Sequence, residues 1–140
     1  MKPTTNLLLA RLAILLVLLW NVQCALAFLL SPGRYAAGFE LSGAPGEAAV
    51  RGMGVLFLMW NIPYAVALWN PLRFRISLYE ASAMQAIGLL GESLIWLSLP
   101  PAHATLQASL LRFIAFDGAG LLLLLLAVWL VQREIHWETS

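Results

Sequence analysis

Residues 108–131, ASLLRFIAFDGAGLLLLLLAVWLV, decide the fold because they combine an apolar run of bilayer length with two charged side chains. A bilayer core of ~30 Å needs about 20 mostly apolar residues in a helix. Further runs of that length lie at about 7–30, 50–69 and 81–99. The sequence therefore predicts an all-α protein, an integral membrane four-helix antiparallel bundle that forms a single domain over residues 1–140.

The composition also indicates a chain that lies in lipid. Of the 140 residues, 61% are hydrophobic and 11% are charged, and the mean hydropathy of +0.84 is outside the usual range of soluble domains. The lipid bilayer is therefore the first partner that we expect. A net charge of +1 without any Lys/Arg cluster argues against nucleic-acid binding. Cys24 is the lone cysteine and cannot form an internal disulfide.

The basic residues that flank the predicted spans indicate their orientation, because such residues concentrate on the cytoplasmic side of a membrane. The opposite side has Arg34 in a loop that also carries acidic residues. We therefore expect a multi-pass protein of the inner (plasma) membrane with both termini in the cytoplasm. The residues that define the cytoplasmic side are Lys2, Arg73, Arg75 and Arg133.

The first predicted span has a second interpretation. Lys2, the apolar run and the small residues Ala25-Leu26-Ala27 resemble a secretory signal with its cleavage site. The apolar run is longer than the roughly 7–15 residues of a signal core, which favours a retained span.

Four charged residues carry the main hypothesis about function: Arg51, Glu92, Arg112 and Asp117. A charge at the bilayer centre costs at least ~2.5–3.5 kcal/mol on insertion scales, so such residues normally pair or face a cavity. A hairpin of the last two spans brings three of them within reach, and Arg51 extends toward them from the same outer side. Two interpretations stay open: ion pairs that fix helix register, or a charged pocket in the outer half of the bundle, where Glu92 handles a proton.

A secondary polar pocket is predicted from Asn21, Asn61, Tyr64 and Gln85. Asn21 and Asn61 end a shared pattern, RLAILLVLLWN from Arg11 and RGMGVLFLMWN from Arg51. The pattern fits an inverted transporter repeat, or a chance likeness between Leu-rich helices. Pro63 frees the carbonyl of Met59, for which Asn21, Asn61 and Tyr64 are the nearest plausible donors.

The third predicted span has one polar face, because Ser82, Gln85 and Glu92 recur at helical spacing. We expect that face to point inward. Small residues beside it should let the third and fourth spans approach closely. They are Gly88, Gly91, Gly118 and Gly120.

The segment from Ser31 to Ala49 is rich in Gly, Ala, Pro and Ser, with Tyr35 and Phe39 as its large apolar anchors. We expect it to fold over the outer mouth of the bundle. His103 and His136 fall at opposite ends of the bundle, so they cannot share a metal ion or a haem. The sequence predicts no metal site, and no residue that we would assign as catalytic.

The chain resembles the DoxX-like group of small four-helix bacterial membrane proteins. The resemblance covers the whole chain in architecture and rests on four spans, an Arg that opens the second span in Arg51-Gly52-Met53-Gly54, and Gly91-Glu92 within the third. It implies an inner-membrane protein from a group that includes subunits or accessories of quinone-linked redox systems.

These observations favour a non-catalytic function, either as an accessory subunit or as a binder of a small lipophilic molecule such as a quinone or lipid. No cofactor is required by any motif, although a quinone or lipid would fit the pocket. A homo-oligomer or partner membrane subunits are compatible with the sequence. The alternative is a proton-coupled transporter of a small molecule that uses Glu92 or Asp117, and an intramembrane enzyme with Glu92 as acid or base comes third.

Overall fold

The computed structural model describes the backbone of residues 4–138 and the side chains of residues 4–136. Lys2, which contributed to the predicted orientation, lies outside the described residues. No strand occurs between residues 4 and 138, so the predicted all-α class is confirmed. The elements of this part are α1 (Thr5–Leu30), α2 (Pro32–Ala36), a 3-10 turn (Ala37–Phe39), α3 (Gly43–Trp69), α4 (Arg75–Ser98) and α5 (Ala104–Glu138).

Local signals in the sequence explain where the long helices begin and end. Thr4 precedes α1, and its side-chain oxygen accepts a hydrogen bond from the amide of Leu7 at 3.4 Å. Ser31 and Leu99 end α1 and α4 in non-helical conformations. Each is followed by a proline, whose ring disfavours the helical conformation of the residue before it. Each predicted apolar segment overlaps one long helix, but α3 begins at Gly43 rather than near residue 50.

The four long helices pack in a ring in which α1 contacts α3 and α5, and α4 contacts the same two helices from the other side. Long-range hydrogen bonds fix antiparallel neighbours. The Arg11 guanidinium donates to the carbonyl of Trp69 at 2.6 Å, and the Asn6 amide donates to Glu134 at 3.2 Å. At the other end the Gln107 amide donates to the carbonyl of Leu99 at 3.3 Å. We call this second end, which also holds residues 31–42, the cap end.

Within the described residues, three helices are long and apolar enough to cross a membrane: Thr5–Leu30, Gly43–Trp69 and Ala104–His136. Helix α4 is long enough, but it carries more polar residues. Its buried residues include Ser82 and Gln85, whereas Leu94 and Leu97 are 67% and 70% exposed. The predicted inward polar face of this segment is confirmed for Ser82 and Gln85, whereas apolar residues such as Leu94 and Leu97 point outward.

The core of the ring consists of two apolar clusters. The larger one fills the end opposite the cap and includes Ile14, Val17, Leu78 and Leu124, all of which are fully buried. The smaller cluster lies at the cap end around Phe28, Ala36 and Val50. Aromatic and basic side chains pair at the rim opposite the cap, where the Arg133 guanidinium lies 4.7 Å from the ring centre of Trp129. The space between the two clusters is where the cavity described below forms.

Helix α3 approaches α1 most closely at Gly54. A Cβ atom there would lie 2.9 Å from the carbonyl oxygen of Ala25 and 3.1 Å from the Cβ of Phe28. Such contacts are too short for any residue but glycine unless a helix moves. Gly52, one half-turn away, has nothing within 4 Å of the same position.

We therefore predict that Gly54→Ala lowers the thermal stability of the detergent-solubilised protein, by roughly 1–3 kcal/mol as is usual for overpacking. Gly52→Ala is the matched control, and it should be neutral or stabilising by up to about 1 kcal/mol because alanine favours the helix. Equal melting temperatures for the two variants would contradict the close contact between α1 and α3.

Candidate functional site

A cavity of about 620 Å³ lies between the long helices and beneath the cap end. Helices α1, α3, α4 and α5 and residues 34–39 all contribute to its wall. Its aromatic lining comes from Trp20, Phe28, Tyr35, Phe39, Phe57, Trp60, Phe113 and Phe116. Its polar and charged lining comes from Asn21, Gln23, Arg34, Asn61, Tyr64, Gln85, Glu92, Ser109, Arg112 and Asp117.

Three polar side chains form a hydrogen-bonded chain across the deep side of the cavity. The Tyr64 hydroxyl lies 2.6 Å from Gln85 Oε1 and 3.1 Å from the carbonyl oxygen of Ala81. Gln85 Nε2 in turn donates to Asp117 Oδ1 at 2.8 Å. Together with Asn61, we call these residues the polar floor: Asn61, Tyr64, Gln85 and Asp117. The chain joins α3, α4 and α5, so three helices hold it in place.

Two acceptor atoms in the cavity wall have no hydrogen-bond partner. Asn61 is 5% exposed, and while its amide nitrogen donates to the carbonyl of Phe57 at 2.6 Å, its Oδ1 is buried and unpaired. Glu92 Oε2 is likewise buried without a partner. An unsatisfied buried polar atom costs about 1–3 kcal/mol, so each of these two atoms destabilises the folded protein.

The predicted charge network is formed only in part. Glu92, Arg112 and Asp117 line the cavity together. Arg51 does not join them, because it is exposed on α3 and lies 3.9 Å from Glu47. Among the described residues no salt bridge connects Arg112 with Glu92 or Asp117, and Arg112 Nε instead donates to the carbonyl of Ala108 on its own helix. Of the two interpretations, ion pairs among all four charges are therefore not formed in the described residues, and three of the four side chains line one cavity.

The predicted secondary polar pocket belongs to the same cavity, because Asn21, Asn61, Tyr64 and Gln85 all line it. The two Trp-Asn pairs that end the shared sequence pattern, Trp20-Asn21 and Trp60-Asn61, both lie in its wall. The amide of Asn61 bonds to Phe57 rather than to the Met59 carbonyl that Pro63 frees.

Residues 31–42, which we call the cap segment, are held on α5 by three contacts. The Ser109 hydroxyl donates to the carbonyl of Gly38 at 2.7 Å. Glu40 Oε1 accepts from the amide of Leu106 at 3.4 Å, and Oε2 lies 2.5 Å from Nδ1 of His103. Glu40 itself has a φ of 58°, a left-handed conformation that is uncommon for a residue other than glycine.

The cap segment confirms one prediction and adds residues that the sequence did not reveal. Tyr35 and Phe39, the predicted apolar anchors, pack on Phe28 with ring centres 5.1 and 5.7 Å away. Arg34 and Ser109 also line the cavity, but neither stood out in the sequence. The Glu40 and His103 pair was missed as well, since 62 residues separate these positions in the chain. The only signal in the sequence was that an acidic residue and a histidine fall in two predicted loops at the same end of the bundle.

Comparison with family models, with curated proteins and with solved structures finds no match to this chain. In the described part of the chain, no three His, Cys, Asp or Glu side chains group as a metal ion would need. The arrangement is therefore interpreted from its own chemistry, which is an aromatic-walled cavity with a hydrogen-bonding floor.

The close approach of α4 and α5 at Gly88 generates a prediction about the polar floor. A Cβ atom at Gly88 would overlap Asp117 Oδ2, whereas one at Gly91 meets nothing within 4 Å. Gly88→Ala should therefore displace the carboxylate from Gln85 and, because that hydrogen bond is lost, lower the free energy of unfolding in detergent by about 1–3 kcal/mol. Gly91→Ala should not.

The penalty at Gly88 should largely vanish in an Asp117→Ala background, because the overlapping carboxylate is then gone. Additive losses in this double-mutant cycle would show that Gly88 does not act through Asp117.

The cap segment generates a prediction about pH. Hydrogen bonds from His103 and from the amide of Leu106 lower the pKa of Glu40 below its ordinary value of 4.5. A lowered pKa means that the ionised carboxylate stabilises the folded state above the ordinary pKa, and that this contribution is lost as the pH falls through the lowered value. Hydrogen exchange of the cap segment should therefore be faster in Glu40→Gln than in the wild type at neutral pH. The difference should shrink as the solution is acidified below pH 4.5.

Glu80→Gln is the control for this experiment, since Glu80 is an exposed glutamate near the start of α4, at the end of the ring opposite the cap. It should leave exchange in the cap segment unchanged. A difference between Glu40→Gln and wild type that persists at low pH would contradict the assigned role of the carboxylate.

Proposed function

We propose that this chain is a small polytopic protein of the inner membrane, with both termini in the cytoplasm, and that it binds a small lipophilic molecule in the cavity. The observation that carries the proposal is the combination of about 620 Å³ of aromatic-walled space with a hydrogen-bonding floor. Ligand sites are typically enclosed, mostly apolar spaces of this size with a few convergent polar groups.

The outward face of α4 supports a fourth membrane span. Large apolar residues of this helix are exposed on the outside of the ring, among them Ile87, Leu90, Leu94 and Leu97. In water such a face would be an apolar patch of a kind that soluble monomers rarely carry. In lipid the same face is satisfied, and Ser82 and Gln85 of α4 are kept inside the ring.

The shape of the cavity supports an amphipathic ligand. The aromatic rings cluster at the cap end around Phe28, with Phe57 and Phe113 at 5.8 and 6.1 Å from it. The polar floor lies about 12 Å further along α5 at 1.5 Å per residue, as measured from Ser109 to Asp117. A quinone or a lipid likewise has an apolar body and a polar end. The resemblance to DoxX-like proteins favours a non-catalytic binder or accessory subunit.

A second candidate function is proton-coupled transport of a small molecule. It is favoured by Glu92 and Asp117 lining one cavity without a salt-bridge partner in the described part of the chain. Release or uptake of protons when ligand binds, followed with a pH-sensitive dye in weakly buffered solution, separates the two functions. A transporter of this kind exchanges protons on binding, whereas an accessory subunit has no reason to do so.

The proposal predicts that native mass spectrometry of the protein, extracted gently from its own membrane, finds a bound small molecule. Ala27→Phe should reduce its occupancy several-fold, because Ala27 lines the cavity and the added ring fills part of it. Ala65→Phe is the matched control, since Ala65 is exposed on α3 outside the cavity wall.

Equal occupancy in the two variants would place the ligand elsewhere and contradict the cavity as the site. A stoichiometric partner chain with an empty cavity would instead favour the accessory subunit without a ligand.

A further inference from the structure

Each hydrogen-bond donor group of the polar floor already makes a bond within the protein. The Tyr64 hydroxyl is within hydrogen-bonding distance of Gln85 and of the Ala81 carbonyl. Gln85 Nε2 donates to Asp117, and Asn61 Nδ2 donates to the carbonyl of Phe57. A ligand that offers only acceptors is therefore left with the second N–H of the Gln85 and Asn61 amide groups.

Acceptor positions near the floor are free. Asn61 is 95% buried and lines the cavity, yet its Oδ1 has no partner. Glu92 Oε2 is buried and unpaired, and Asp117 has a single hydrogen bond, from Gln85. A group that donates several hydrogen bonds would satisfy these unpaired atoms, and a hydrogen bond to a charged group is favourable.

The charges of the cavity are arranged unevenly. Its two arginines, Arg34 and Arg112, are exposed, and the only hydrogen bond of Arg112 goes to its own helix. The carboxyl groups of Glu92 and Asp117 are partly buried, and neither has a cationic partner within salt-bridge distance in the described residues. A positive group deep in the cavity would supply that partner, and opposite charges that are removed from water are stabilised by pairing.

The aromatic wall suits a cation as well. Trp20 packs edge-on against Phe116 with ring centres 5.8 Å apart, and Trp60 stacks on Phe57 at 6.3 Å. All four rings line the cavity. Tryptophan is the best aromatic partner for an ammonium group, and such contacts strengthen when water is excluded.

We infer that the cavity selects lipophilic primary amines: an ammonium group that pairs with the carboxylate of Asp117 and donates to Asn61 Oδ1, beside the carboxyl group of Glu92, with an apolar body among the rings. This inference rests on the proposed binding of a small lipophilic molecule and names its chemical class. The donor count, the unpaired acceptors and the aromatic lining all favour the same end group.

The test uses three compounds of equal size that differ only in the end group: phenylbutylamine, phenylbutanol and phenylbutyrate. Saturable binding to the full chain in phosphatidylcholine nanodiscs is measured by calorimetry at neutral pH, with empty nanodiscs subtracted to remove partitioning into lipid. The amine should bind at least about tenfold more tightly than the alcohol, as expected for a charged hydrogen bond. The acid should bind more weakly than either.

Variants of the polar floor test whether its residues cause the preference for the amine over the alcohol. Asp117→Asn and Asn61→Leu should each remove most of the preference for the amine while the alcohol still binds. Glu134→Gln is the matched control, because Glu134 is a buried carboxylate that accepts an amide hydrogen bond but lies outside the cavity wall. It should keep the preference intact, and Asn61→Leu serves as the test if Asp117→Asn does not fold.

The outcomes separate this inference from the proposed function. Saturable binding of the alcohol or the acid with an affinity equal to or above that of the amine overturns the amine class and leaves the cavity as a binding site. Absence of saturable binding by all three compounds, together with no small molecule in native mass spectra, overturns both. A preference for the amine that survives in Asp117→Asn and in Asn61→Leu overturns the assignment to the polar floor.

Discussion

The need to keep polar side chains away from an apolar exterior is the constraint on which this fold depends. Helix α4 has to turn Ser82 and Gln85 inward, since an unpaired polar group among apolar surroundings costs several kcal/mol. Once Gln85 faces inward, it meets Tyr64 of α3 and Asp117 of α5. The same rotation puts Gly88 against Asp117, where no larger residue fits without displacement. One polar contact thus fixes the rotation of α4 and its position between two neighbours.

Apolar run length and polar periodicity were sufficient to predict the helical class, the inward face of α4 and most of the polar lining of the cavity. They were not sufficient to place Arg51. The predicted start of the second span near residue 50 put Arg51 at a helix terminus, free to reach inward. Because α3 begins at Gly43, Arg51 lies well inside the helix, one turn after Glu47 and on the outer surface. An i,i+4 neighbour of opposite charge is a local solution that competes with any distant partner.

The contacts that hold the cap segment were beyond sequence reasoning for a different reason. The composition of residues 31–49 indicated a covering loop, and its aromatic anchors were evident. Its hydrogen bonds, however, join Gly38 and Glu40 to His103, Leu106 and Ser109 across about half of the chain. Neither partner has a periodic pattern or a motif that specifies the other. Such contacts depend on how the packed helices place their ends relative to one another, which the local sequence does not specify.

The length of α5 has a mechanical consequence. At 35 residues it spans about 52 Å, well beyond the ~30 Å of hydrocarbon in a typical bilayer. In a bilayer, the stacked Arg133 and Trp129 would hold the end opposite the cap at the headgroup level, as basic and aromatic residues do in membrane proteins. Hydrophobic mismatch would then be taken up at the far end, where the cap segment closes the cavity. The thickness of the surrounding lipid would then affect how closely the cap segment covers the cavity.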